Sequence, residues 1–348
     1  MSDFLQYLIH MDPAQVAALF TTSLIQTGAI LLGISGGKKM AIKRSRKPAN
    51  IKKVILPPVL KQDFSKTKIN PTEEKEAIIN FIKTLENKLP KSYLDNLYYN
   101  LSYLKVENSK STKLAGAAGI YYSGTNIIKI AEKDSLNHEL FHMASTSVDK
   151  RFCGLSQKTE DGWIGDGLNE GYTELLTRRY FPNDKKEVKK KKNKKESPKA
   201  YDTHVSICRK LEKIVGKDKM TELYLTSNLN GLIKELRKYS TSDEISRFIA
   251  NVDLMHRYAN DFTMFKISEI KNIVREITSY LIKTHLRFLQ IQINEGRLTE
   301  KESYKQHKEF VESIEDNYRF FFHKYKSYNT KDIYKIYDEL SEEKNIKR

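Results

Sequence analysis

Cysteine is almost missing from this chain: Cys153 and Cys208 are the only two in 348 residues. No disulfide framework can staple such a fold, and the pattern points to a reducing compartment or to inert thiols. A single bond between the two is neither required nor forbidden. Tryptophan occurs once, at Trp163. Proline is scarce, and half of its eight occurrences (Pro48, Pro57, Pro58 and Pro71) fall in one stretch without a long period. Residues 48–71 therefore read as a linker with one short strand at Lys53–Leu56. Acidic side chains are outnumbered, 44 against 61 Lys and Arg, which leaves a net charge of +17.

A charge of that size invites a nucleic-acid reading, so its location decides. The run Lys38–Asn70 nets +10 and the run Lys185–Lys199 nets +7, which accounts for the whole excess. The rest of the chain is neutral in total. The charge thus belongs to two polar, loop-like runs and not to a folded basic face, and nucleic acid becomes an unlikely partner. An anionic lipid surface suits the first run better. The second, spanning 183–199 with its flanks, reads as a disordered insertion that cannot pack.

Long apolar runs are also lacking, with one exception. Asp12-Pro13 makes a helix start, no charged residue occurs from Ala14 to Ile34, and Gly36-Gly37 closes the segment. About 20 residues suit a bilayer, although Thr21, Thr22, Ser23, Gln26 and Thr27 interrupt the apolar run. The expectation is a single membrane-spanning helix over residues 14–35; a buried or interfacial amphipathic helix is the alternative. The acids Asp3 and Asp12 precede the segment and the basic cluster follows it, which disfavours a cleaved signal. The same asymmetry keeps Lys38, Lys39, Lys43, Arg44, Arg46 and Lys47 in the cytosol, with the short N-terminus outside and the larger part of the chain inside.

Chemistry concentrates in Leu136–Ser145, L-N-H-E-L-F-H-M-A-S. His138 and His142 are four apart, so on a helix both rings lie on one face and can share a metal ion. Glu139 then points toward the ion's open position, where a water sits. Leu136, Leu140, Phe141 and Ala144 form a separate apolar arc, as a buried helix carrying a polar site requires. A zinc enzyme needs a third protein ligand. Downstream, Gly167–Thr177 reads G-L-N-E-G-Y-T-E-L-L-T. Glu170 and Glu174 share one face of that helix, and Leu168, Tyr172, Leu175 and Leu176 the other. Glu170 is the candidate third ligand; Glu174, one turn on, can accept the other ring N–H of a ligating histidine.

H-E-L-F-H at 138–142 with N-E-G-Y-T-E at 169–174 resembles the gluzincin, thermolysin-like branch of zinc metallopeptidases. The resemblance runs from Gly116 to Phe181 and little beyond. It implies one zinc ion on His138, His142 and Glu170, Glu139 as general base, Glu174 behind a ligand, and peptide or protein as substrate. The interval from His142 to Glu170 is longer than in thermolysin, and no residue clearly matches the histidine or tyrosine that such enzymes use toward the oxyanion. His204, the first histidine after the ligand segments, is the candidate for that role.

Before the histidine helix, two β-rich runs flank the turn Ser123–Asn126 and read as a hairpin. In proteases of the resembled kind, an edge strand here binds substrate as an added strand. Gly119, Ile120, Tyr121 and Tyr122 are the candidates, and an ordinary core hairpin is the other reading. Gly162–Gly167 reads as a glycine-rich loop whose Trp163 either lines the site or packs. Helices are expected near 71–85 and 92–104, and throughout the chain after Tyr201. On those last helices His256, His285, His307 and His323 lack ligand spacing and read as surface or packing residues.

The expected architecture is α+β and mostly helical. It comprises a short segment 1–13, the hydrophobic helix 14–35, the basic linker 36–70, a zincin-like catalytic domain with a small β-sheet over 71–230, and a C-terminal helical region over 231–348. The expected function is a membrane-tethered zinc peptidase facing the cytoplasm. The alternative is a catalytically inactive, zincin-like interaction module at the membrane.

Overall fold

The computed structural model describes residues 72–114, 117–160, 162–182, 201–260 and 267–321. The expected N-terminal helix, the basic linker with its short strand, and the lysine-rich insertion lie outside the described residues. Among the described residues no helix is long and apolar enough to cross a membrane.

The described chain is mostly helical with little sheet, as the sequence pattern predicts. Helix α1 (Thr72–Lys88) buries Ile78, Phe81, Ile82 and Leu85, one stripe at helical spacing. The helix expected over 92–104 is shorter and broken. Pro90 is followed by a 3-10 turn at Lys91–Tyr93, and α2 spans Asp95–Leu101. Strand β1 (Lys105–Asn108) and the short helix α3 (Lys110–Leu114) lead to β2 (Gly119–Tyr122) and β3 (Ile127–Ile130). The hairpin forms as expected, with Gly119 opposite Ile130 and Tyr122 opposite Ile127. Asn126 takes the left-handed conformation at its turn, φ 56°. β1 pairs parallel to β3, giving the order β1-β3-β2 and leaving β2 at an edge.

Helix α4 (Leu136–Ala144) carries the two histidines and packs on β2. Its last carbonyls are not left bare. Buried Asn100 of α2 donates from Nδ2 to the carbonyls of Met143 (2.9 Å) and Thr146 (2.7 Å), and Asn126 ties back to the Asn100 carbonyl (2.6 Å). The hairpin, α2 and the end of the histidine helix are thereby one hydrogen-bonded unit.

A second small sheet follows, β4 (Phe152–Cys153), β5 (Ser156–Thr159) and β6 (Gly162–Ile164), all antiparallel. The stretch read as a glycine-rich loop is thus partly strand, with Trp163 half-buried opposite Lys158. Helix α5 (Asp166–Tyr180) runs through the centre and buries Leu168, Tyr172, Leu175 and Leu176. After it come α6 (Asp202–Val215), α7 (Lys217–Leu225), α8 (Leu229–Leu236), α9 (Ser242–Asn260), α10 (Ile267–Asn294) and α11 (Glu300–Phe321), of which α6 and α9 pack directly on α5. Two contacts fix α5. Asp253 of α9 accepts from the backbone N–H of Gly165 (2.8 Å) and Gly167 (2.9 Å), capping the helix N-terminus with a carboxylate. Gly171 lies against the backbone of α6: a Cβ there would come within 2.7 Å of the His204 carbonyl. Only glycine lets α6 approach so closely. The buried apolar residues form one cluster from Ile78 to Ile314, so the C-terminal helices share a core with the motif-bearing part.

Candidate metal centre

Helices α4 and α5 pack together and point three donor side chains at one spot. His138 Nε2 stands 3.2 Å from Glu170 Oε2, and His142 Nε2 stands 3.3 Å from Glu170 Oε1. The two Nε2 atoms are 3.1 Å apart. His138, His142 and Glu170 form the one group of metal-competent side chains found among the described residues. The three are mostly buried, with side-chain exposures of 12%, 9% and 22%.

The three side chains are strongly coupled electrostatically. Burial opposes protonation of His138, yet its hydrogen bonds to Glu170 and Glu174 outweigh that and hold it up at about 9. His142 is also raised well above its ordinary value: burial opposes, and the Glu170 carboxylate prevails. Glu170 in turn is held well below the usual carboxylate range, because the two imidazoles outweigh the effect of burial. The two Nε2 atoms and a carboxylate oxygen of Glu170 lie close enough together for a single divalent cation to satisfy all three at once. Two imidazoles and one carboxylate are also the donor set that suits zinc, and three protein ligands leave a position open.

Each ligand is held from behind. Glu174 Oε2 accepts from His138 Nδ1 at 3.2 Å, which leaves Nε2 for the centre. Arg178 grips Glu174 through Nε (2.6 Å) and reaches Asp202 of α6 through a terminal nitrogen (2.6 Å). Behind His142 Nδ1 lie Asn169 Nδ2 at 3.2 Å, Thr173 Oγ1 at 3.5 Å and Cys153 Sγ at 3.9 Å. Thr173 is itself paired with buried Tyr224 at 2.6 Å. Changing Glu174 to Gln removes the charged acceptor for His138 and is expected to weaken metal affinity about 10- to 100-fold. Competition against a chromophoric chelator measures this, and unchanged affinity would dismiss the role.

Glu139, 6% exposed, lies beside the triad, and the nearby backbone of Tyr121 favours its charged form. β2 is an edge strand of its sheet and packs on the helix that carries Glu139. Gly119 makes the approach possible: a Cβ there would come within 2.6 Å of Ser135 Oγ and 2.9 Å of the Glu139 carboxylate. Burial raises the Glu139 pKa, against the pull of His138 and His142. Of the candidate substrate strand, Gly119 and Tyr121 thus stand at the site. Tyr122 is 42% exposed, with Lys129 over its ring.

Tyr201, which the motif reading did not include, is the residue that stands over the centre. Its hydroxyl bonds Glu170, and that carboxylate, then burial, then Glu139 push its pKa above the ordinary phenol range. Its ring stacks on His138 with centroids 5.8 Å apart. His204 lies edge-on to Tyr201 at 6.0 Å, 2% exposed, and its Nε2 has no hydrogen-bond partner among the described residues. Burial and His256 hold its pKa down at about 3, so it is a neutral imidazole. Asp166, one helical turn before Glu170, is pushed up to about 6 by burial, Asp253 and Glu170. Comparison with family models, curated proteins and solved structures finds nothing that matches this chain.

Proposed function

We propose that the chain is a zinc-dependent peptidase of gluzincin-like design, acting on peptide or protein. The observation that carries the reading is the convergence of His138, His142 and Glu170 from two separate helices, with the buried carboxylate of Glu139 alongside. When bound, zinc supplies Lewis acidity toward a carbonyl and makes a bound water acidic near neutral pH. Glu139 takes the proton of the attacking water and passes it to the leaving amine. Its raised pKa suits both halves of that task. Tyr201, not His204, is the better placed donor toward the oxygen that gains charge, because its hydroxyl is the one directed at the ligand carboxylate. The outward edge of β2, at Gly119 and Tyr121, receives substrate as an added strand.

The membrane tether at 14–35, with the cytosolic orientation set by the basic run after it, is proposed on the sequence alone. Protease added to intact cells should spare the catalytic part; digestion from outside would reverse the topology. The peptidase reading is tested by measuring metal in the purified full chain and screening a mixed peptide library with and without chelator. About one zinc per chain and chelator-sensitive cleavage are expected. A metal-free protein that gains no cleavage on adding zinc would leave the scaffold reading in its place.

A further inference from the structure

The stack over the centre does not end at Tyr201. His256 of α9 also lies nearly parallel to the phenol ring, with centroids 6.0 Å apart and an interplanar angle of 23°. His138 is near-parallel to it at 5.8 Å and 16°. Tyr201 therefore has two imidazoles in offset, near-parallel contact with its ring, and His204 stands close to perpendicular to both Tyr201 and His256. The backbone of Tyr201 is unusual too. It sits at the start of α6 with φ 70°, a conformation that L side chains rarely adopt and that persists only where the surroundings impose it. Around it stand the offset rings of His138 and His256 and, one residue along, the Arg178–Asp202 pair.

We infer that His256 is a positioning residue that seats the Tyr201 hydroxyl over the metal centre by ring stacking, without touching substrate or ligand atoms itself. The inference rests on the peptidase reading and adds to it a residue from the C-terminal helices. Helix α9 then serves the site twice, through Asp253 at the N-terminus of the ligand helix and through His256 behind the phenol. The stack is a geometric device: it fixes a ring plane, and any flat aromatic side chain at 256 can do the same.

The test uses the full chain loaded with cobalt and titrated with acetohydroxamate, the affinity being read from the visible bands of the metal. Tyr201→Phe is expected to weaken the hydroxamate about 10-fold or more, through loss of a donor to its oxygen. His256→Ala should weaken it about 3- to 10-fold, the range of one aromatic pair. His256→Phe should bind nearly as the unchanged protein does. In a Tyr201→Phe background, His256→Ala should cost nothing further, since the two act as one unit. If His256→Ala does not fold, His256→Gln removes the ring at similar volume. Equal losses in both backgrounds, or a His256→Phe variant as weak as His256→Ala, would overturn the inference while leaving the metal site intact. A wild-type chain that takes up no cobalt would instead overturn the peptidase reading and this inference with it.

Discussion

Replacing Glu139 with glutamine is expected to lower peptide turnover by about 10²–10⁴-fold, the usual contribution of a positioned acid–base group. Metal content should stay nearly unchanged, because the ligand atoms belong to His138, His142 and Glu170. The substitution is close to isosteric, and its surroundings favour retention of the fold. What disappears is the group able to hold a proton between attack and departure of the amine. The measurement is kcat/KM on a cleaved peptide together with zinc per chain. Full activity would remove Glu139 from the mechanism; loss of zinc would show that the residue supports the centre rather than the chemistry. Gly119→Ala provides a companion probe. Its Cβ would enter within 2.9 Å of the Glu139 carboxylate, so turnover should fall without any change at the metal ligands.

The ligand residues were legible in the sequence because their geometry is local. Four residues make one helical turn, so the spacing of His138 and His142, and of Glu170 and Glu174, fixes which side chains share a face before any tertiary contact exists. The meeting of the two helices was an expectation from motif context, and in the fold it follows from α4 packing against α5. Asn169 stood inside the quoted motif without a role; its place behind His142 depends on that packing. Tyr201 was not legible at all. It follows a lysine-rich run that carries no period, and its place beside Glu170 comes from a positive φ and from rings on two other helices. His204, the next histidine in order, is three residues away and lies edge-on to the phenol ring. The strands divide in the same way. Ile127–Ile130 announces itself by apolar content, whereas Lys105–Asn108 buries only Val106 and Ser156–Thr159 is almost wholly polar. The last helices were plain from their period, but nothing in that period told that α9 would cap α5 and back the site.

The second large effect expected is on stability in acid. His204 and His285 are 2% and 3% exposed, and each is held neutral with a pKa of about 3. Burial and His256 depress the first; burial, His307 and Lys213 depress the second. In the unfolded chain both return to about 6.5. Below that pH the unfolded state binds two protons that the folded state refuses, so stability falls as pH falls. Over two pH units the loss reaches about 5 kcal/mol, comparable with the whole stability of an ordinary domain. His138 does not offset it. Its folded pKa of about 9 is raised, so its contribution is complete below 6.5 and is lost only as pH rises toward 9. Glu170 has a depressed pKa and begins to lose its contribution only near and below its ordinary 4.5. Between about 6.5 and 4.5 the two buried imidazoles make stability fall as pH falls, joined by His256, which is held down in the same direction. Asp166 at about 6 and the raised Glu139 and Asp253 take up protons in the fold and offset part of that loss. Urea unfolding of the metal-free chain at several pH values in that window measures it. His285→Phe keeps a ring against Phe310, on which His285 now stacks at 3.9 Å, and should remove one of the two protons from the slope. A slope that His285→Phe leaves unchanged would mean that His285 is not kept neutral by the fold.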